Sequence, residues 1–274
     1  MNRSKKLIRR MALEKGEAVL LTKPSNIFYV SGFTGEGKLL VADGLCAIVT
    51  DFRYVEQAAR EAPQSAVEMT DKGVGHDDLL RKLCDQHDIR TLYYEDDDVT
   101  VRAFAQLQRK LGPLDYCAVC GVPEKLRQSK DEGELAAIRE ACRITSEAFE
   151  RVLPLIREGM TERELQLALE REMILLGSPK PSFDTIVASG VNGSLPHAKP
   201  SDKKLEKGDM ITMDFGATYQ GYCADMTRTV ALGQPSAEMR RVYDVVYDAQ
   251  RMAQDALMAG KMCADVDAVA RSHI

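Results

Sequence analysis

Residues 208–233, GDMITMDFGATYQGYCADMTRTVALG, decide how the second half of this chain is read. Two apolar runs, residues 210–215 and 222–232, flank a polar break that holds Gly216 and Gly221. Apolar, β-branched runs with a glycine-bearing gap between them predict a β-hairpin. Each run carries one acid, Asp214 and Asp225. A turn centred on Tyr219 and Gln220 sets the two opposite each other; a turn one residue later makes them diagonal neighbours. Opposed side chains in an antiparallel pair have Cβ atoms about 4.5–5.5 Å apart. Two like charges at that distance repel. A shared proton, a Lys or Arg partner, or a cation between them would relieve the repulsion. Paired metals in hydrolytic sites lie about 3.5–4 Å apart, a span that carboxylates bridge. The plainer alternative is a pair of exposed hairpin aspartates with Arg228 as a surface partner.

The run D-F-G-A-x-Y-x-G-Y-C-A-D-M-T-R-T, residues 214–229, closely resembles the metal-binding hairpin of the pita-bread metallopeptidases. That family takes in Xaa-Pro aminopeptidases, prolidases, methionine aminopeptidases and the non-peptidase creatinases. Residues 187–211, VASGVNGSLPHAKPSDKKLEKGDMI, resemble the family segment that ends in a Pro-His pair before the first metal strand. The resemblance implies that Asp214 and Asp225 are the first two of five metal ligands. It implies that His197 is not a ligand but a catalytic residue beside the substrate, helping to stabilise the transition state. Imidazole suits that task, because it donates a hydrogen bond near neutral pH. Two divalent ions are implied as cofactors. Manganese fits oxygen-rich ligation, with cobalt or zinc as alternatives. Such ions acidify a bound water and polarise the scissile carbonyl.

The activity implied is removal of an N-terminal residue that precedes proline, from peptides with Pro at the second position. The alternatives are a prolidase acting on Xaa-Pro dipeptides and a creatinase-type hydrolase. From a different class, the chain is a non-catalytic remnant that serves only in binding or dimerisation. A homodimer is expected of the intact protein. The family pattern continues past Ile274 with a histidine in an H-G-x-G-H segment and two later glutamates. None of these is present, so the expectation is a C-terminally truncated chain with little activity and weak metal binding. His273 and Glu238 are not expected to replace them; Glu238 lies in a first helical turn, where an acid favours the helix dipole.

Composition sets the broad class. The chain has 274 residues, of which 45% are hydrophobic and 29% charged, with a net charge of −5. An acidic balance argues against an electrostatic nucleic-acid partner. No apolar run approaches the roughly 20 residues of a membrane span, and the basic N-terminus lacks a signal-peptide core. The cytoplasm is the expected compartment, with no membrane partner. Seven scattered cysteines predict reduced thiols. Cys117 and Cys120 form a CxxC in what reads as a buried strand, without a second ligand pair, so buried free thiols are expected there.

In chain order, residues 18–49 read as strands, among them NIFYVSGF at 26–33. Helices are expected from about Asp51, near His76 to His87 and from Thr100, with strands at AVEM, TLYYED and YCAVCGV between and after them. Strands alternating with helices predict an α/β (α+β) arrangement. SNIFYVSGF and TDFRYVEQA resemble the start of a creatinase-like N-terminal domain, which methionine aminopeptidases lack. His76 and His87 are expected at the surface, and the acidic run 95–98 is expected to be solvated. The domains expected are 1–128, creatinase-like, and 129–274, an incomplete pita-bread peptidase domain. Capping boxes at Ser129/Glu132 and Thr161/Glu164 predict helix starts. Ser236 is expected to cap a long helix that packs Val242, Val245, Val246, Ala249, Ala253, Ala256 and Leu257 on one face.

Overall fold

The apolar runs of the first half pair into one mixed sheet. A computed structural model describes residues 2–274 and divides into two units, Met1–Lys130 and Asp131–Ile274. The first unit contains α1 (Arg3–Met11), β1 (Glu17–Leu21), α2 (Pro24–Ser31), β2 (Lys38–Ala42), β3 (Leu45–Thr50) and α3 (Val55–Glu61). It continues with β4 (Ala66–Met69), α4 (His76–Gln86), β5 (Thr91–Tyr94), α5 (Val101–Leu111), β6 (Asp115–Ala118) and α6 (Val122–Arg127). The strand order is β4-β3-β2-β1-β5-β6. β1, β2 and β3 run antiparallel, whereas β3–β4, β1–β5 and β5–β6 are parallel.

Side chains alternate between the faces of a strand, so β1 feeds two cores. Ala18 and Leu20 join Leu80, Leu83 and Leu107 on one face. Val19 and Leu21 join Leu7, Ile27 and Ala58 on the other. A sheet covered on both faces needs continuous apolar strands, and that is why AVLL carries no polar alternation.

Three readings of this unit change. Residues 24–31 form a helix, not a strand: Pro24 takes the first helical position, where its fixed φ is favourable. The acidic run is not solvated as a whole. Glu95 is 2% exposed and accepts from the backbone N–H of Thr22 and Lys23 and from the Asn26 amide. Asp97 pairs with Lys23, and Asp98 accepts from the Thr22 hydroxyl. The run therefore pins the lead into α2. Glu95→Gln is expected to destabilise the chain by about 2 kcal/mol, because an amide cannot accept from all three donors; urea unfolding measures the loss. Finally, Cys117 is half-buried and Cys120 exposed, so neither is the buried thiol expected, although all seven cysteines are free.

The second unit contains α7 (Glu132–Val152), α8 (Glu162–Leu175), β7 (Ile186–Ser189), β8 (Met210–Phe215), β9 (Thr218–Tyr219), β10 (Tyr222–Cys223), β11 (Met226–Ala231), α9 (Ala237–Ala256) and α10 (Cys263–His273). Its main sheet runs β11-β8-β7. Ile144, Ala148 and Val152 of α7 and Leu165, Leu169 and Met173 of α8 pack on Val187, Ile211, Met213 and Phe215. The α7 cap lies two residues beyond the expected one. Asp131 accepts from Glu134 N and the Glu134 carboxylate returns the bond, so this pair replaces Ser129/Glu132. Thr161 and Glu164 cap α8 as expected, and Ser236 caps α9. Along α9 only Ala249 of the anticipated face is buried; Val242 and Val246 are more than half exposed. α7 and α8 already fill the core against β8, and α9 packs chiefly on α10. Among the described residues no helix is long and apolar enough to cross a membrane.

Candidate metal centre

The hairpin closes one residue later than its first reading. Gln220 and Gly221 both have positive φ, +46° and +81°, as a two-residue tip requires. Tyr219 pairs with Tyr222, and further down Asp214 pairs with Thr227. Asp225 is thus the diagonal neighbour of Asp214, not its direct partner. Diagonal side chains remain within reach of one another on a pleated sheet.

Below the tip the ladder is interrupted at Gly216, and here the close approach of backbone to backbone requires glycine. A Cβ on Gly216 would stand 1.9 Å from the Ala224 carbonyl oxygen and 2.4 Å from Ser182 Oγ. Ser182 stitches the gap: its hydroxyl donates to Ala224 O at 2.7 Å and its N–H to Gly216 O at 2.9 Å. From α7, the buried Thr145 hydroxyl accepts from Ala217 N at 2.9 Å and donates to Ala141 O at 2.8 Å. The Ser178 hydroxyl accepts from Thr218 N at 3.0 Å. None of these supports was visible in the sequence reading, because each lies dozens of residues from the strands it holds.

Asp214 carries the electrostatic signature of the site. Its Oδ1 is buried without a hydrogen-bond partner. Burial pushes the carboxyl above its usual range; the Thr227 hydroxyl opposes this, while the charge of Asp225 and a hydrogen bond to it add to it. Arg228 does not relieve the pair. Its guanidinium donates to the Thr227 carbonyl, and among the described residues it forms no ion pair. An orphaned carboxylate oxygen beside a second, exposed carboxylate fits a hard divalent cation, which is satisfied by oxygen donors. The fit is of two donors only. Among the described residues no group of three His, Cys, Asp or Glu converges to hold an ion.

His197 is exposed on the loop of residues 190–200. It does not line the cleft beside Asp225, which is walled by Cys142 and Thr145 of α7, Thr227 and Arg228 of β11, and Tyr243 and Tyr247 of α9. The register of β8 on β11 makes Asp214 and Asp225 diagonal neighbours, and His197 lies on the loop that precedes β8. His76 is half-buried at the start of α4 and His87 is exposed. Tyr243 and Tyr247 stack on each other at 6.2 Å and are 39% and 49% exposed.

Comparison with known proteins bears on both units. The family profile described as metallopeptidase family M24 matches residues 136–274, and that of the creatinase/prolidase N-terminal domain matches residues 3–129. The uncharacterized peptidase YqhT of Bacillus subtilis is 37% identical over 259 residues, covering 94% of this chain and 73% of that protein. An X-Pro aminopeptidase from Thermotoga maritima superposes with a TM-score of 0.89 at 37% identity, covering 97% of this chain and 77% of that one. An Xaa-Pro dipeptidase from Bacillus anthracis gives 0.92 at 34% identity, covering 99% and 77%.

Proposed function

This chain belongs to metallopeptidase family M24 and carries a creatinase/prolidase N-terminal domain, and from that premise we propose that it serves release of an N-terminal residue ahead of proline. The observation that carries the metal part is the orphaned, buried Oδ1 of Asp214 beside Asp225. These two carboxylates would hold divalent ions, with manganese favoured by oxygen ligation. When bound, such ions supply Lewis-acid polarisation of a scissile carbonyl and a nucleophile at neutral pH.

The chain's own residues do the rest. Asp214 and Asp225 present negative charge from a rigid hairpin, and Gly216, Ser182 and Thr145 hold that hairpin in register. His197 donates a hydrogen bond to the substrate at the reacting group. Two carboxylates are few donors for two ions, so weak loading is expected of these residues alone. The preference for proline rests on relatives named X-Pro aminopeptidase and Xaa-Pro dipeptidase. Because relatives carry both names, a dipeptidase is the second reading. We place the protein in the cytoplasm, where its free cysteines stay reduced, and as a homodimer.

An assay separates these readings. The chain is incubated with manganese and either an Xaa-Pro-Xaa tripeptide or an Xaa-Pro dipeptide. Slow release of the first residue from the tripeptide, abolished by a chelator, is expected. Cleavage of the dipeptide alone assigns the dipeptidase. Cleavage of neither leaves the non-catalytic remnant.

A further inference from the structure

Residues 190–200 leave β7 after Ser189, and the chain comes back beside the start of α8 at Ser201, before β8 begins at Met210; His197 lies between Ser189 and Ser201. One side chain grips both ends. Glu162, the first residue of α8, is fully buried. Its Oε1 accepts from Ser189 N at 2.7 Å and Ser189 Oγ at 2.9 Å. Its Oε2 accepts from Ser201 N at 3.1 Å and Ser201 Oγ at 2.6 Å. Asn192 Nδ2, inside the loop, lies 3.1 Å from each oxygen. The free backbone donors of the helix start reinforce the grip: Glu162 N and Arg163 N donate to Lys203 O and Ser201 O, both at 3.1 Å.

His197, by contrast, is exposed and among the described residues has no side-chain hydrogen bond of its own. Its position is therefore set by the backbone of the loop that carries it. We propose that Glu162 is a positioning residue for the peptidase reaction, closing the 190–200 loop at both ends so that His197 is presented to substrate. This role rests on the peptidase reading given above. Burial opposes ionisation of Glu162, yet the bonds from Ser201, Asn192 and Ser189 hold its carboxyl below the usual range. The charged form, with two acceptor oxygens, is the one that fits six contacts from five donor atoms, two of them backbone N–H groups that can only donate.

Glutamine tests this sharply. Ser189 N and Ser201 N are backbone donors and sit at opposite oxygens. Whichever way the amide of Glu162→Gln is turned, its NH2 meets one of them. The chain has four histidines, so the His197 ring resonance is assigned by its loss in His197→Gln. In Glu162→Gln, amide exchange over residues 189–201 is expected to rise about tenfold or more while the α7 helix keeps its protection. The His197 resonance is expected to shift while the other three stay. In manganese-loaded protein, kcat on an Xaa-Pro tripeptide is expected to fall about tenfold to a hundredfold at unchanged metal content.

A double variant, Asn192→Ala with Ser201→Ala, keeps the carboxylate and removes part of the donors; it should show the same loop signature and decides the matter if Glu162→Gln does not fold. An unmoved His197 resonance in a folded variant overturns the proposal. So does loosening spread evenly over the whole second unit, which would make Glu162 merely structural. The exchange and resonance readouts need no turnover, so a wild-type chain that cleaves nothing refutes the peptidase reading separately from the loop anchoring.

Discussion

Asp214→Asn is expected to abolish the weak manganese loading and with it whatever peptidase turnover the chain has, since losing metal stabilisation of the transition state costs several kcal/mol. The same change is expected to raise the stability of the metal-free chain. The reason is the buried Oδ1, which has no hydrogen-bond partner, next to the charge of Asp225. The folded state raises the Asp214 pKa, so the folded chain holds this proton more tightly than the unfolded chain does. Whatever stability the protonated carboxyl confers is fully present below the unfolded value and is lost as pH rises through the folded one. At neutral pH the ionised group is a net cost, and a neutral amide removes it. A gain of about 1 kcal/mol corresponds to a Tm rise of about 2–4 °C in a chain of this size. Calorimetric titration with manganese and thermal melts with and without the ion read both effects. A variant that loads manganese like wild type, or that melts lower without it, contradicts the assignment.

Gly216→Ala is expected to cost about 3 kcal/mol or more, because overpacking against backbone cannot be relieved by a rotamer change. The new methyl would meet the Ala224 carbonyl oxygen at 1.9 Å and the Ser182 hydroxyl at 2.4 Å. To admit it, the two strands must part where Asp225 leaves the ladder. The expected result is a lower urea midpoint together with lost manganese affinity. A Ser182→Ala control should be milder, since it removes one bond to Ala224 O without adding bulk. If Gly216→Ala unfolds at the wild-type midpoint, the close approach at this point is not a constraint.

The hairpin was legible because its signals are local: apolar runs, a glycine-bearing gap and one acid per run. Its register was not, since the choice between two tips turned on Gln220 adopting a positive φ, which only the folded tip reveals. The helix at residues 24–31 was misread because Ile27, Tyr29 and Val30 suit a strand as well as a buried helix. Pro24 was the available sign of a helix start. Asp131 and Glu134 offered the same capping chemistry as Ser129 and Glu132, and sequence spacing alone could not rank them. Thr145, Ser182 and Glu162 lacked any local signal. Each acts on backbone far along the chain, so its role exists only once the fold has formed. The exposed face of α9 shows the converse, since apolar periodicity identifies a face without saying what covers it.

The tip formed by Gln220 and Gly221 also acts as a gauge on the chain's history. Both strands are measured from it, and side-chain direction reverses with every residue. One codon gained or lost there would turn one acid away from the other while leaving composition and hydropathy almost untouched. Length variation among descendants of this sequence should therefore collect in the loops outside the hairpin, and the spacing between the two aspartates should outlast the identity of most residues that lie between them.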